Sequence, residues 1–245
     1  MMDLSIVIPI YNAADIILPN VFKIIHSLRK SDLRFEILLR DDGSDDTSLI
    51  KLDEVARIYQ EVRVFFNGEN KGLGWTLRRL FKDAQGQTII YSDCDLPFGE
   101  EIFQRLYQEN QTWDVVLASR YGELPSVIPW PRRVASRIYY CFCYLLFRVP
   151  VKDLGSGAVA FRRNVLTSLN LKSKGFDIHI ELFVKVKALD FSIKEFAALS
   201  FSVGQSSFRI FRHGFGIVWG TLFFCFFWRW DKFFKSNEIK NYEVN

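Results

Sequence analysis

The chain has 245 residues, 49% of them apolar and 24 of them Phe, enough to bury one sizeable core with a small annex, and one main domain is expected. Cys94, Cys141, Cys143 and Cys225 show neither CxxC spacing nor the His spacing of a zinc site, and "MMDLSIVIPI" lacks a signal peptide's basic start and cleavage site, so a reducing, cytosolic setting is expected for the folded part. The formal charge of +4 hides a split, with 14 Lys and Arg against 20 Asp and Glu in residues 1–123 but 18 against 8 in residues 124–245; such a basic half suits nucleic acid, an anionic membrane surface, a phosphorylated substrate or simply a solvated face.

In chain order, the first half alternates two periods. Short apolar runs at 4–10, 35–40, 62–67, 88–92 and 113–119 read as strands covered on both faces. Between them, Asp15 to Arg29, Thr47 to Gln60, Gly72 to Ala84 and Gly99 to Gln108 carry helical spacing. Strand alternating with helix predicts an open, mainly parallel α/β sheet, whose ligands sit beyond the carboxyl ends of the strands. Pro9, Tyr11 and Asn12 follow the first strand, "DDGSDDT" the second, "NGENKGLG" the third and "SDCD" the fourth. Four polar loops thus share one edge, and acids gathered there repel one another unless a cation or a donor-rich ligand sits among them.

The second half changes character. An aromatic helix interrupted by arginines is expected over 132–150, followed by "VKDLGSGAVAFRRNVL" and an amphipathic helix over 175–189. From His213 to Trp228 no Asp, Glu, Lys or Arg occurs. A helix of that length spans only about 24 Å at ~1.5 Å per residue, short of the ~30 Å hydrocarbon core. With Arg209 and Arg212 before it and Arg229, Lys232 and Lys235 after it, the segment suits an interfacial helix, or a terminal helix docked on the core.

Asp93 and Asp95 lie two apart in an extended segment, so their carboxylates point the same way and can share one hard cation. Such a cation neutralises the charge that grows on a departing diphosphate. Asp41 and Asp42 stand at a strand tip, where a carboxylate can accept from a nucleobase N–H or a ribose hydroxyl. "KGLG" lacks both the dinucleotide fingerprint and the P-loop pattern, and its glycines read first as a turn into a helix.

"SIVIPIYNAADI", "EILLRDDGSDDT", "NKGLG", "SDCDL", "ASRYG" and "DLGSGAVAFRR" resemble, in order and spacing over about residues 4 to 207, the family 2 glycosyltransferases of GT-A fold. The likeness is to the branch of dolichol-phosphate mannose synthases and other polyprenyl-phosphate glycosyltransferases. It implies inverting transfer of a mannose- or glucose-type hexose from a nucleotide-sugar, GDP-mannose or UDP-glucose in kind, to a polyprenyl phosphate, with Mg²⁺ or Mn²⁺. Pro9, Tyr11, Asn12, Asp41, Asp42, Lys71, Gly72 and Asp93 would then hold the nucleotide-sugar, and Asp93 and Asp95 the metal and diphosphate. Arg120, Arg133, Ser156 and Gly157 would lie at the acceptor phosphate, joined by Arg209 or Arg212 because the relatives' Arg before GxS is missing here. Asp95, Arg120, Arg133 and Glu181 make up the expected catalytic group, with Glu181 open either as a base or as an exposed polar position on its helix.

Two positions depart from the family pattern: Ala13 replaces the acid usual after "YN", and Pro97 stands where relatives often carry Gln. The expected organisation is a catalytic domain over 1–205, with a nucleotide-sugar half (1–123) and an acceptor half (124–205), then a membrane-associating helix and tail over 206–245. The implied setting is the cytoplasmic face of a membrane, with no nucleic acid partner and with a membrane-anchoring partner or a homo-oligomer left open. Two alternatives remain at this level. One is a family 2 enzyme with a saccharide or other hydroxyl acceptor, needing a base such as Glu181 or Asp177, and the other is a non-catalytic nucleotide-binding subunit.

Overall fold

The computed structural model describes residues 2–121, 130–201, 216 and 218–226. Seven strands form one sheet in the order β3-β2-β1-β4-β6-β5-β7. The first four are β1 (Leu4–Ile10), β2 (Phe35–Asp41), β3 (Val62–Phe66) and β4 (Thr88–Ser92), all parallel to their neighbours in this set. Their helical crossovers are α1 (Ala14–Leu28), α2 (Ser48–Ile58) and α3 (Leu73–Asp83), and α4 (Ile102–Asn110) leads to β5 (Val115–Ser119). The open, mainly parallel sheet expected from the alternation is therefore present.

The later elements were less visible in the sequence. After α5 (Trp130–Phe147) come β6 (Ala158–Arg162), α6 (Arg163–Ser168), α7 (Ile178–Ala188) and β7 (Ile193–Ala197). Strand β6 runs antiparallel between β4 and β5, with Ser92 opposite Ala158 and Val115 opposite Phe161, while β7 pairs parallel with β5. The sheet thus crosses from the acidic half of the sequence into the basic half.

Two buried clusters hold the layers together. One, on the α1 side, gathers Ile6, Ile8, Ile17, Val21, Ile24, Ile37, Leu39, Phe103 and Leu106. The other joins Val7, Leu38, Leu77, Tyr91, Leu117, Cys143, Phe161 and Phe183. Burying each such large side chain is worth roughly 1.5–3 kcal/mol relative to exposure, which fixes which face of each helix turns inward. Helix α7, expected to be amphipathic, is buried nearly all round: Ile178, Ile180, Glu181, Leu182, Phe183, Val184 and Val186 are covered. Its hydrophobic period is weak because both sides of the helix meet protein.

The strand directions place the second half. β5 and β4 both run antiparallel to β6, so Ser119 and Ser92 end at one edge of the sheet, and Ala158 begins there. β7 ends at the same edge, with Ala197 beside Ser119. Residues 120–157, including α5, therefore leave and return at the edge where the polar loops gather, and the chain after β7 leaves from it too.

Candidate active site

The loops after β1 and β2 interlock. Asn12 N–H donates to Ser44 Oγ (2.9 Å), Ala13 N–H to Ser48 Oγ (2.9 Å) and Ala14 N–H to Asp46 Oδ2 (3.2 Å), while Asp45 N–H returns to Asn12 Oδ1 (3.0 Å). The first amide of α1, that of Ala14, is thus capped from the next loop. Burial alone would raise the Asp46 pKa, but the Ser48 and Ala14 donors hold it below the ordinary carboxylate value. Asn12 adopts a left-handed φ of 50°, and Tyr11 beside it is exposed. Pro9 is half-buried within β1, opposite Arg40.

Asp41 and Asp42 are both buried but do different things. Asp42 Oδ1 accepts from Asn67 Nδ2 (2.8 Å), Lys71 N–H (2.9 Å) and Thr76 Oγ1 (2.9 Å), and its Oδ2 from Gly72 N–H (3.0 Å). Both oxygens are occupied in shaping the loop after β3. Asp41 Oδ2 accepts from Gly43 N–H (2.9 Å) and Ser44 N–H (3.0 Å), whereas its Oδ1 is buried with no hydrogen-bond partner. A buried carboxylate oxygen left this way is costly unless a ligand donor completes it.

The amides at the start of α3 are also in use. Gly74 N–H (2.8 Å) and Trp75 N–H (3.2 Å) donate to Lys174 O, and a Cβ on Gly72 would come within 2.5 Å of that same oxygen. Gly72 is therefore needed for close backbone approach as well as for its φ of 91°. Lys71 pairs with Glu69 at the surface.

Glu181 holds the loop that meets α3. Its carboxylate accepts from Lys172 N–H (2.9 Å to Oε1) and Ser173 N–H (2.8 Å to Oε2) and pairs with Lys185 (2.6 Å), at 1% exposure. This corrects the expectation of an exposed polar position on its helix, because Glu181 is buried and its oxygens are taken up by these donors. Exchanging it for Gln replaces one acceptor by a donor facing a buried N–H, which costs about 2 kcal/mol. Glu181→Gln is accordingly expected to lower Tm by roughly 4–8 °C in calorimetry, while turnover at saturating substrate changes less than about threefold for an acceptor that needs no base.

Asp93 and Asp95 sit half-buried beyond β4. Tyr91, two residues earlier on the same strand face, donates its hydroxyl to Asp93 Oδ1. On the other side is Gly157, whose carbonyl accepts from Asp93 N–H (3.0 Å), and a Cβ there would lie 2.4 Å from Asp93 Oδ2 and 2.8 Å from Pro97 Cγ. The Asp93 carboxylate is thus walled between a phenol and a glycine. Burial raises the Tyr91 pKa well above its ordinary value, with Asp93 adding to it, and so the phenol stays a donor. Burial likewise pushes the Cys94 thiol up to about 12, with Asp95 and Asp93 adding to it. The His179 ring lies 5.6 Å from that of Tyr91, and burial lowers its pKa against the pull of Asp93.

Arg120 frames the same corner. Its Nε and Nη2 meet Asp153 Oδ2 (2.9 Å) and Oδ1 (2.7 Å), its N–H also reaches Asp153 Oδ2 (2.9 Å), and Nη2 donates to Gly155 O. Burial works against the guanidinium charge, but Asp153 outweighs it and raises the Arg120 pKa above its usual value. Ser156 is buried, donating its hydroxyl to Ala118 O (2.5 Å). Asp153, Gly155 and Ser156 therefore set the course of the backbone into Gly157 and so against Asp93.

The structure brings Asp93, Asp95, Gly157, Arg120 and the Asp41 loop to one rim. Arg133 lies exposed on α5, and Arg209, Arg212 and the expected boundary near 205 lie outside the described residues. Sequence reasoning missed Tyr91, Asp153 and His179. Tyr91 carried a readable signal, the i, i+2 relation to Asp93 on a strand; Asp153, the lone acid in a long basic stretch, carried another. Among the described residues no group of three or more His, Cys, Asp or Glu is clustered for a metal. Two hard carboxylates without a third partner fit a divalent cation that completes its shell with phosphate oxygens and water.

The likenesses follow the same residues. The family model described as "Glycosyl transferase family 2" matches residues 5–169, spanning the rim from β1 through Gly157 and on into α6. The dolichol-phosphate mannosyltransferase of Pyrococcus furiosus is 29% identical over 195 residues, 76% of this chain and 53% of that protein. The undecaprenyl-phosphate 4-deoxy-4-formamido-L-arabinose transferase of Proteus mirabilis is 28% identical over 168 residues, 67% of this chain and 50% of that protein. The chain thus spans about half the length of these curated relatives. Among solved structures, glucosyl-3-phosphoglycerate synthase from Mycobacterium tuberculosis superposes with a TM-score of 0.69 at 18% identity, covering 91% of this chain and 81% of that one. Mannosyl-3-phosphoglycerate synthase from Rubrobacter xylanophilus gives 0.67 at 16%, covering 90% and 73%. These likenesses establish the GT-A type of fold. With more than half of its length matched by one family model, the chain belongs to glycosyl transferase family 2.

Proposed function

We propose that this chain moves a mannose- or glucose-type hexose, with inversion, from a nucleoside-diphosphate sugar to a polyprenyl phosphate at a membrane surface, using Mg²⁺ or Mn²⁺. The observation that carries the reading is the pair Asp93 and Asp95 at the carboxyl edge, with the Asp93 carboxylate held in place by Tyr91 and by the space over Gly157. Support comes from relatives named for dolichol-phosphate and undecaprenyl-phosphate transfer, and from the M. tuberculosis neighbour solved with Mn²⁺, UDP-glucose and phosphoglyceric acid.

A divalent ion held by Asp93 and Asp95 would supply charge neutralisation for the departing nucleoside diphosphate. The chain's own residues do the rest. Asp41 Oδ1, buried and unpartnered, accepts a base N–H or a ribose hydroxyl, while Asp42 shapes the loop beside it. Arg120 and Asp153 fix the 153–157 backbone, which keeps Asp93 aimed at the rim. A phosphate monoester is anionic at neutral pH and attacks without a general base, in keeping with the sealed Glu181 carboxylate. Arginines on the acceptor side, Arg133 among them, offset the repulsion between two phosphorylated substrates.

The test is incubation of purified protein with Mn²⁺, a panel of nucleotide-sugars and a short polyprenyl phosphate, read by mass spectrometry of the lipid fraction. A glycosylated lipid phosphate is expected. Extension of a free sugar or glycan with the lipid phosphate left unmodified refutes the acceptor, and binding of no nucleotide-sugar in calorimetry refutes the donor.

A further inference from the structure

Every residue of β4 is buried, and Tyr91 brings a hydroxyl into that strand at 1% exposure. Its backbone is flanked on both sides, by Val7 of β1 and by Val159 of β6. Its ring belongs to the second buried cluster, with Leu77, Leu117 and Phe183, and the His179 ring of α7 lies 5.6 Å away at a tilt of 39°. A phenylalanine would fill the same space without adding a buried polar group that needs a partner. The hydroxyl finds its partner because residues two apart on a strand share a face, which brings it to Asp93 Oδ1.

The two oxygens of Asp93 are thereby made unequal. Oδ1 accepts from the phenol, and Oδ2 is the oxygen beside Gly157, where a Cβ would come within 2.4 Å of it. The backbone that carries the carboxylate is fixed as well, with Asp93 N–H donating to Gly157 O (3.0 Å) and Leu96 N–H to Asp93 O (3.2 Å). A carboxylate pinned at one oxygen presents the other as a single donor and does not turn freely to offer both. Divalent ions differ in how well they accept this. Ca²⁺ gathers about 6–8 oxygens at ~2.3–2.6 Å and readily takes both oxygens of one carboxylate. A smaller octahedral ion such as Mg²⁺ or Mn²⁺ takes one or two acids and fills its shell with phosphate oxygens and water.

We propose that Tyr91 is a positioning residue that sets the ion preference of this rim: by occupying Asp93 Oδ1 it holds the carboxylate to one-oxygen coordination, which favours a small octahedral cation over Ca²⁺. The proposal rests on the reading of Asp93 and Asp95 as cation ligands, and it adds what selects the ion. Tyr91 lies in the core below the rim and acts through Asp93, not on substrate. Close packing around its ring sharpens the preference, because the phenol has no room to follow a carboxylate drawn toward a larger ion. A role confined to the core would make Asp93 no more than the acceptor that satisfies a buried hydroxyl. Removing the hydroxyl would then change stability and leave the ion preference where it was.

Calorimetric titration of Mn²⁺ and of Ca²⁺ into the full chain, with saturating UDP or GDP present, tests it. Wild type is expected to bind Mn²⁺ more tightly than Ca²⁺. Tyr91→Phe keeps the ring and its packing, so its melting temperature should stay within a few degrees of wild type. Its Mn²⁺ affinity should fall by about tenfold while its Ca²⁺ affinity changes little, so that the preference narrows by the same factor. On an Asp93→Asn background, Tyr91→Phe should leave the Mn²⁺ affinity unchanged, since the carboxylate it positions is gone. An equal Mn²⁺-to-Ca²⁺ ratio in wild type and Tyr91→Phe overturns the proposal, as does a wild type that binds the two ions equally well. Failure of wild type to bind Mn²⁺ with either nucleotide overturns the proposed function together with it, whereas Mn²⁺ binding with an unmoved ratio overturns this proposal alone.

Discussion

Asp95→Asn is expected to cut turnover by about a thousandfold while leaving the melting temperature within a few degrees of wild type. Electrostatic groups aimed at developing charge are worth roughly 10²–10³ in rate when a single one is removed. Here the set is small, since among the described residues no group of three or more His, Cys, Asp or Glu is clustered for a metal, which leaves Asp93 and Asp95 as the proposed ligands. Loss of either leaves one anionic ligand, and an amide oxygen is a much poorer partner for a hard cation. The measurement is a pair of titrations: Mn²⁺ affinity in the presence of nucleoside diphosphate, followed by calorimetry, and initial rates across Mn²⁺ concentration. Metal affinity should fall with turnover. Near-wild-type turnover in Asp95→Asn would remove the cation from Asp93 and Asp95 and with it the proposed role of the rim.

Gly157→Ala should do nearly as much damage from a position that bears no charge. A Cβ at residue 157 would lie 2.4 Å from Asp93 Oδ2, 2.9 Å from Asp93 Cγ and 2.8 Å from Pro97 Cγ, all well inside van der Waals contact. Strand β6 begins at the next residue and is anchored to β4 through Ser92 and Ala158, so the backbone has little room to retreat. The Asp93 side chain must give way instead, breaking its hydrogen bond to Tyr91. Overpacking of this kind costs about 1–3 kcal/mol in stability, and displacing a metal-binding carboxylate should lower metal affinity by about 10–100-fold. The two effects separate in a double-mutant cycle. On an Asp93→Asn background, Gly157→Ala should retain its stability cost but lose most of its effect on metal affinity and rate. Additive losses in affinity would mean that Gly157 acts on the site by some route other than Asp93.

Both variants depend on a corner that the sequence showed only in part. Asp93 and Asp95 were legible because an apolar strand ended at them and because the three preceding strands ended in polar loops too. The sheet and its carboxyl-edge ligand rim followed from the alternation of periods in residues 4–119, which is a local property. Glu181 was not legible, because its partners, the amides of Lys172 and Ser173 and the ammonium of Lys185, reach it only once α7 is buried against the loop before it. Asp42 and Arg120 are similar cases. Their protein partners, backbone donors for the carboxylate and Asp153 for the arginine, arrive only with the fold.

The sequence by itself determined the open α/β sheet, the edge on which the polar loops gather, the family and the pair of acids beyond β4, because each rests on spacing within a few residues or on an ordered set of short motifs. Only the tertiary structure decided which charged groups are already satisfied. It left Asp41 Oδ1 with an open acceptor and Asp42 with none, sealed Glu181, tied Arg120 to Asp153, and turned one face of α5 outward. The physical reason is that burial and hydrogen bonding depend on neighbours that the fold supplies, some about 30 to 80 residues away, as with Asp42 and Gly72, Arg120 and Asp153, or Tyr139 and Thr221, and others, as with Asp41 and Glu181, near in sequence but placed by their loops. The sequence fixes the chemistry of such a group, and the fold selects its partner.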